Sequence, residues 1–300
     1  MSDDRRMPVL VLGASGTQGG AVARALLAQG VPVRAFTRSR ETAARFEEAG
    51  MSAAIGDFGD IESLIAACRG VGAVFSMQAA PFADPDSERR DARAIATAVT
   101  AAGVPQIVHT SVSGAGVFHR AMKDWGTGRW NENYWESKAE AEDVIRNCGV
   151  ASRTILKPAF MMENFIPPKV SRFFPHLAKG ELTTAFTPRT VMSLVTAEDV
   201  AAAAVAAIIA PARFNHLEIE LSGDRLTMDE IAAIFAEAWG RPVITRFLPR
   251  EAALEAGILP FWVDSQIWTN EVGYPATPDD SRKLGLAPTG LRDWARRHPG

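Results

Sequence analysis

Cysteine is nearly absent. The two present, Cys68 and Cys148, follow no metal-ligand spacing and are too few for a disulfide framework. They point to a reduced, cytoplasmic setting. An excess of one charge is also missing: 32 basic against 35 acidic residues leave a net charge of −3. That gives no electrostatic reason to expect a nucleic-acid partner. Long apolar runs are lacking too. Residues 200–210 form the longest, mostly alanine and too short to span a bilayer, so no membrane partner is expected. The opening Met1-Ser2-Asp3-Asp4-Arg5-Arg6 has no apolar core of the kind a secretory signal needs. No internal repeat or low-complexity tract occurs. With 47% apolar and 22% charged residues, the chain suits one large globular domain or two intimate ones, as a monomer or a homodimer.

What is present is organised around one stretch. Val9-Leu10-Val11-Leu12 runs into Gly13-Ala14-Ser15-Gly16-Thr17-Gln18-Gly19, and an apolar-periodic segment follows with Ala21, Val22, Ala25 and Leu26. This reads as buried strand, tight turn and helix. The first glycine permits the turn, the second lets a pyrophosphate approach the backbone, and the third lets helix and strand pack closely. The helix start then offers N–H groups and a partial positive charge to phosphates. The expected cofactor contacts here are Gly13, Ser15, Gly16, Thr17, Gln18 and Gly19.

Strand and helix patterns then alternate. Strands are predicted over 31–36, 51–55, 73–77, 107–111 and 152–156, with helices over 41–49, 61–68, 85–102 and 131–147. A glycine-rich loop is expected from 113 to about 128. The alternation predicts an α/β fold with a doubly wound parallel sheet of Rossmann type. Residues 1–157 would form the dinucleotide-binding domain, with 191–222 returning to its sheet. Residues 158–190 and 223–300 would form a smaller C-terminal substrate lobe. Thr196-Ala197-Glu198-Asp199 and Thr227-Met228-Asp229-Glu230 read as capping boxes. Strands are expected over 214–221 and 243–248.

The end of the second strand selects the cofactor. An acid there would bind the ribose 2′-hydroxyl of NAD, but Thr37-Arg38-Ser39-Arg40 holds none. A guanidinium suits a 2′-phosphate, so NADP(H) is expected, with Arg38 as the main contact and Thr37 beside it. Asp57-Phe58 closes the third strand, where a carboxylate and an aromatic could meet adenine; Asp57 reads equally well as a turn residue. Met77, closing the fourth strand, completes this side of the site.

These residues carry a resemblance. Gly-Ala-Ser-Gly-Thr-Gln-Gly-Gly at 13–20 resembles the NmrA-like branch of the atypical short-chain dehydrogenase/reductase superfamily. So do the arginine after the second strand, Lys138 with Ala139-Glu140-Ala141-Glu142, and the stretch from Leu156-Lys157-Pro158 to Glu163-Asn164-Phe165. Lys157 stands where an arginine is expected. The resemblance implies a Rossmann-type domain with NADP bound, Phe160 among its contacts, and a variable lobe shaping a substrate pocket. It implies either a reductase of quinones, ketones or double bonds, or a protein that senses NADP(H) without turnover.

Tyr134-Trp135-Glu136-Ser137-Lys138 matches the Tyr-x-x-x-Lys of short-chain dehydrogenases. Four residues apart on a helix places both side chains on one face. A nearby ammonium is expected to lower the phenol pKa so that Tyr134 can pass a proton to a carbonyl oxygen as hydride arrives at carbon. Lys138 would also hold the nicotinamide ribose. Ser111 or Ser113 would hydrogen-bond the developing oxyanion. Tyr134 also reads as a pocket aromatic beside Trp130 and Trp135. His119 is an alternative acid or, more simply, a solvated loop residue. Trp125, Trp130, Met161 and Phe165, with Phe160, Met162 and Met192, are expected together to wall a site for a flat, apolar or aromatic small molecule, though any one of them reads equally well as ordinary core of the lobe.

Overall fold

The computed structural model describes residues 7–80 and 84–299. The six opening residues read above against a secretory signal lie outside that range. The strands are β1 (Val9–Val11), β2 (Val33–Thr37), β3 (Ser52–Ile55), β4 (Ala73–Ser76), β5 (Gln106–Thr110), β6 (Ser152–Pro158), β7 (Phe160–Met161), β8 (Glu181–Thr184), β9 (Val191–Val195), β10 (Glu218–Leu221), β11 (Asp224–Thr227) and β12 (Ile244–Phe247). Seven form one sheet in the order β10-β6-β5-β4-β1-β2-β3. β1 pairs parallel with both β2 and β4, and the flanking pairs are parallel too. This is a Rossmann-type sheet. β1, β4 and β5 are buried along their whole length, which suits strands covered on both faces.

The chain order reverses between β1 and β4. In such sheets ligands sit outside the carboxyl ends of the strands at that point. The glycine turn leaves β1 there, and Met77 leaves β4. The helices that matter for the site are α1 (Thr17–Ala28), α2 (Arg40–Glu48), α3 (Ile61–Cys68), α4 (Ser87–Ala101), α5 (Val117–Arg120) and α6 (Glu132–Arg146). The loop expected from 113 to 128 thus contains one short helix, α5. Asn131 starts α6 by accepting a hydrogen bond from the Tyr134 N–H at 3.1 Å. α4 packs against both α3 and α6.

The chain divides into two compact units: 1–121, 131–157 and 200–219 in the first, and 122–130, 158–199 and 220–300 in the second. Two expectations change. Residues 122–130 group with the second unit. The return to the main sheet is shorter than 191–222, because β9 pairs antiparallel with β11 and parallel with β7 in a separate three-stranded sheet. A buried apolar strand reads the same in either sheet, so periodicity cannot assign its partner. The strand expected over 214–221 begins only at Glu218, since a helical turn ends at Phe214 and His216 takes a left-handed φ of 62°.

The second unit has its own core, rich in aromatics. Phe160 stacks on Trp262 with centroids 4.8 Å apart, and Phe165 on Phe174 at 4.7 Å. The Thr227/Glu230 capping box forms in full. At 196–199, Thr196 Oγ1 accepts from the Asp199 N–H, and the Asp199 carboxylate also takes the Thr289 N–H and hydroxyl.

Candidate active site

The glycine turn is built for close approach. Gly13 has φ +68°, open to glycine at little steric cost. A Cβ on Gly13 would lie 2.7 Å from the Met77 Cε, and one on Gly16 would lie 3.2 Å from the Gly13 carbonyl oxygen. A Cβ on Gly19 would meet that oxygen at 2.3 Å, so α1 and β1 pack backbone to backbone. No side chain caps α1, and its first turn carries no acid. Ser15 and Gly16 are exposed, and Thr17 and Gln18 half-buried. Gln18 ties this end of α1 to β5 by accepting from the Thr110 hydroxyl at 2.8 Å. An exposed, acid-free turn of this shape fits a diphosphate.

After β2, the Thr37 hydroxyl accepts from the Ser39 N–H, and Ser39 caps α2 through the Thr42 N–H. Arg38 therefore precedes the cap, and its side chain is 84% exposed. Its guanidinium lies 3.7 Å from the Asp57 carboxylate. Such an exposed pair is worth about 0–1 kcal/mol, so a phosphate can compete with Asp57 for the arginine at little cost. Asp57 takes the turn role, its other oxygen accepting from the Gly59 N–H at 2.8 Å. Phe58 rests against Phe36, with centroids 5.8 Å apart. These residues fit the adenosine end of NADP(H).

Tyr134 and Lys138 do share one face of α6. The Lys138 ammonium stands 5.9 Å from the centre of the Tyr134 ring. It is also buried and paired: Nζ donates to Glu88 Oε1 at 2.5 Å, while the Ser137 hydroxyl donates to Glu88 Oε2 at 2.9 Å. One expectation is overturned here. Burial, and then the Glu88 carboxylate, push the Tyr134 phenol well above its ordinary value, where Lys138 was expected to lower it. The lysine charge is largely offset by its own counter-ion.

Both serines are buried. The Ser111 hydroxyl donates to Glu142 Oε1 at 2.6 Å, so its one proton is committed and it is not placed to stabilise an oxyanion. Glu142 belongs to a buried ionic cluster. Lys157 donates to Glu142 at 3.0 Å, to Glu218 at 2.7 Å and to the Ala115 carbonyl at 3.0 Å, using all three of its protons. Arg146 closes the cluster by reaching both glutamates. Burial opposes the Lys157 charge, but the two carboxylates outweigh it and hold the ammonium above its ordinary value. The same contacts overcome burial at Glu218 and bring its carboxyl down to about 2. The cluster pins the loop after β5 to α6 and β6.

His119 is neither solvated nor poised as an acid. It is fully buried, its Nδ1 accepts from the Gly116 N–H at 2.9 Å, and Nε2 faces Glu136 at 3.3 Å. Burial is the main force lowering its pKa. Phe160 and Phe165 lie in the aromatic core of the second unit, 5% and 2% exposed, and are corrected from contact residues to core residues. Trp130 anchors its own loop, donating from Nε1 to the Lys123 carbonyl at 2.8 Å. Trp125 is half-buried and Met161 buried, both in the second unit.

Sequence reasoning passed over Glu88 and Glu142. Glu88 heads an otherwise apolar stripe of Ala92, Ile95 and Val99 on α4, and Glu142 falls between buried Lys138 and Ile145 on α6. An acid at such a position signals a buried partner.

Residues 6–278 match the NmrA-like family. The NAD(P)H azoreductase of Xenophilus azovorans is 29% identical over 253 residues, covering 83% of this chain and 79% of that enzyme. The (4-alkanoyl-5-oxo-2,5-dihydrofuran-3-yl)methyl phosphate reductase of Streptomyces griseus subsp. griseus is 30% identical over 248 residues, covering 83% of this chain and 79% of that one. The solved structure of the Citrobacter sp. triphenylmethane reductase complexed with NADP(H) aligns with a TM-score of 0.78 at 22% identity, covering 97% of this chain and 99% of that one. At that identity the likeness is one of fold.

Proposed function

The chain belongs to the NmrA-like family, and we propose that it is a reductase that uses NADPH to reduce a carbonyl or quinone of an apolar, aromatic small molecule. It is an NAD(P)-dependent oxidoreductase, as its reductase relatives support. The observation that carries the finer reading is the pairing of Tyr134 with Lys138 on α6.

NADPH, when bound, supplies the hydride. The chain's own residues do the rest. The turn at Gly13, Gly16 and Gly19 receives the diphosphate on backbone N–H groups at the start of α1. Arg38 pairs with the 2′-phosphate, exchanging its weak contact with Asp57 for a charge-assisted one. Lys138 keeps one proton on Glu88 and has two further N–H groups for the nicotinamide ribose. Tyr134 gives its phenol proton to the substrate oxygen. Because burial and Glu88 raise its pKa, it stays protonated, as a donor must, throughout the neutral range.

NADPH consumption across a panel of quinones, azo compounds, ketones and aldehydes tests this reading. Turnover of aromatic members is expected. Tight NADPH binding with no turnover across the panel would instead support a regulator that senses the nucleotide. Arg38→Ala is expected to weaken NADPH binding by about 10- to 150-fold and leave NADH binding nearly unchanged, since one charge-assisted contact contributes roughly 1.5–3 kcal/mol. Equal losses for both nucleotides, read by titration, would remove Arg38 from the 2′-phosphate site.

A further inference from the structure

Glu88 touches neither substrate nor cofactor in the reaction as described, yet its carboxylate is 1% exposed and bonds to the central lysine. A buried carboxylate is costly unless paired. Here each oxygen has a donor in reach: Lys138 on Oε1 and, on Oε2, the Ser137 hydroxyl, whose one proton is shared with the Tyr134 carbonyl at 2.9 Å. Both donors belong to α6, one turn below Tyr134. We propose that Glu88 is a positioning residue that holds the Lys138 ammonium and, with it, sets the charge that the Tyr134 phenol feels. The proposal rests on reading Tyr134 and Lys138 as the catalytic pair.

The surroundings leave this role to Glu88. On α4, Arg89 turns away to Glu140 of α6 at 2.7 Å, and Arg90 pairs with Asp84. Asp91, also on α4, is held above its ordinary value, first by burial. α3, the other helix against α4, carries Glu62 in its first turn and Cys68 at its end; burial pushes the Cys68 thiol up to about 11 and keeps it neutral. On β5, His109 is pushed down to about 3, first by burial and then by Lys138, and carries no charge. Glu88 is the carboxylate that bonds to Lys138, and it is the charged group that raises the phenol.

The role is also geometric. Glu88 holds the lysine head over the ring face of Tyr134, at 5.9 Å from its centre. Neutralising Glu88 leaves the ammonium unopposed beside the phenol. The tyrosinate is then favoured by the same charge that Glu88 offsets in the native protein.

The chain has two tyrosines, so in a Tyr274→Phe background tyrosinate absorbance reports Tyr134 alone, with no need for turnover. Glu88→Gln is expected to bring that titration down by about 1–3 pH units. Glu88→Asp keeps the charge and is expected to stay close to the native value. Glu88→Gln/Lys138→Gln replaces the ion pair by neutral amides of similar shape, and should titrate between Glu88→Gln and native. An unmoved midpoint in Glu88→Gln would overturn the proposal. If that variant fails to fold, Lys138→Gln is compared with the double variant; coincident midpoints would overturn it equally. The titration reads the phenol directly. A shift in Glu88→Gln alongside full turnover in Tyr134→Phe would therefore uphold the electrostatic role and reject the proton-donor reading, and the two failures remain distinct.

Discussion

Tyr134→Phe is expected to lower kcat by roughly 100- to 10,000-fold, the usual contribution of a positioned general acid, while NADPH affinity stays within about twofold. The substitution deletes one oxygen. The ring that lies edge-on to Trp135 is kept, with centroids 5.5 Å apart, and so is the apolar face beneath the Lys138 ammonium. The Lys138–Glu88 ion pair does not involve the phenol. The cofactor contacts proposed for the glycine turn, Arg38 and Lys138 are therefore expected to survive, with the loss falling on the proton transfer. In the native enzyme the raised phenol pKa has a further consequence. Tyr134 remains protonated from neutral into mildly alkaline pH, so kcat should show no downward limb from this group there. Steady-state kinetics and cofactor titration on one preparation check both statements. Unchanged kcat with a good substrate would move the proton donor elsewhere. His119 is poorly placed to replace it, being buried with both ring nitrogens engaged.

Gly19→Ala is expected to damage both stability and cofactor binding. Its Cβ would fall 2.3 Å from the Gly13 carbonyl oxygen, 2.5 Å from the Gly13 carbonyl carbon and 2.9 Å from the Leu12 oxygen. All three are backbone atoms, so no flexible side chain can give way. Either α1 moves off β1 or the turn shifts. Overpacking of this kind costs about 1–3 kcal/mol, and each 1.4 kcal/mol of it that falls on the bound state costs about tenfold in NADPH affinity. Gly16→Ala provides the internal comparison. Its nearest backbone contact is 3.2 Å and its φ is −91°, which any residue can adopt. Thermal melts should rank Gly19→Ala well below Gly16→Ala. Equal melting temperatures for Gly19→Ala and the native protein would mean that the close packing of α1 on β1 is not required.

Much of the first unit could be read directly. The apolar run at 9–12, the glycines at 13, 16 and 19, and the apolar spacing after them act over a few residues each. Steric freedom at φ and helical periodicity are local causes, so their effects are legible locally. The absence of an acid after β2 and the exposed position of Arg38 are likewise properties of a short segment. The placing of Tyr134 and Lys138 on one face follows from helical geometry alone.

The partners of buried charges were not legible, because they come from distant parts of the chain. Lys138 meets Glu88 across 50 residues, Ser111 meets Glu142 across 31, and Lys157 meets Glu218 across 61. Burial, and then the Glu88 charge, reversed the expected pKa shift of Tyr134, and the meeting with Glu142 removed Ser111 as an oxyanion donor. Phe160 and Phe165 went to an aromatic core for the same reason: an apolar side chain buries equally well against a cofactor or against Trp262 and Phe174. By itself, then, the sequence determined the glycine turn after β1, the arginine after β2 and the helix that carries the tyrosine and lysine, since each depends on local sterics and spacing. The tertiary structure alone decided which carboxylate neutralises that lysine and how the tyrosine titrates, because burial and Coulomb interactions depend on distance in space and not along the chain.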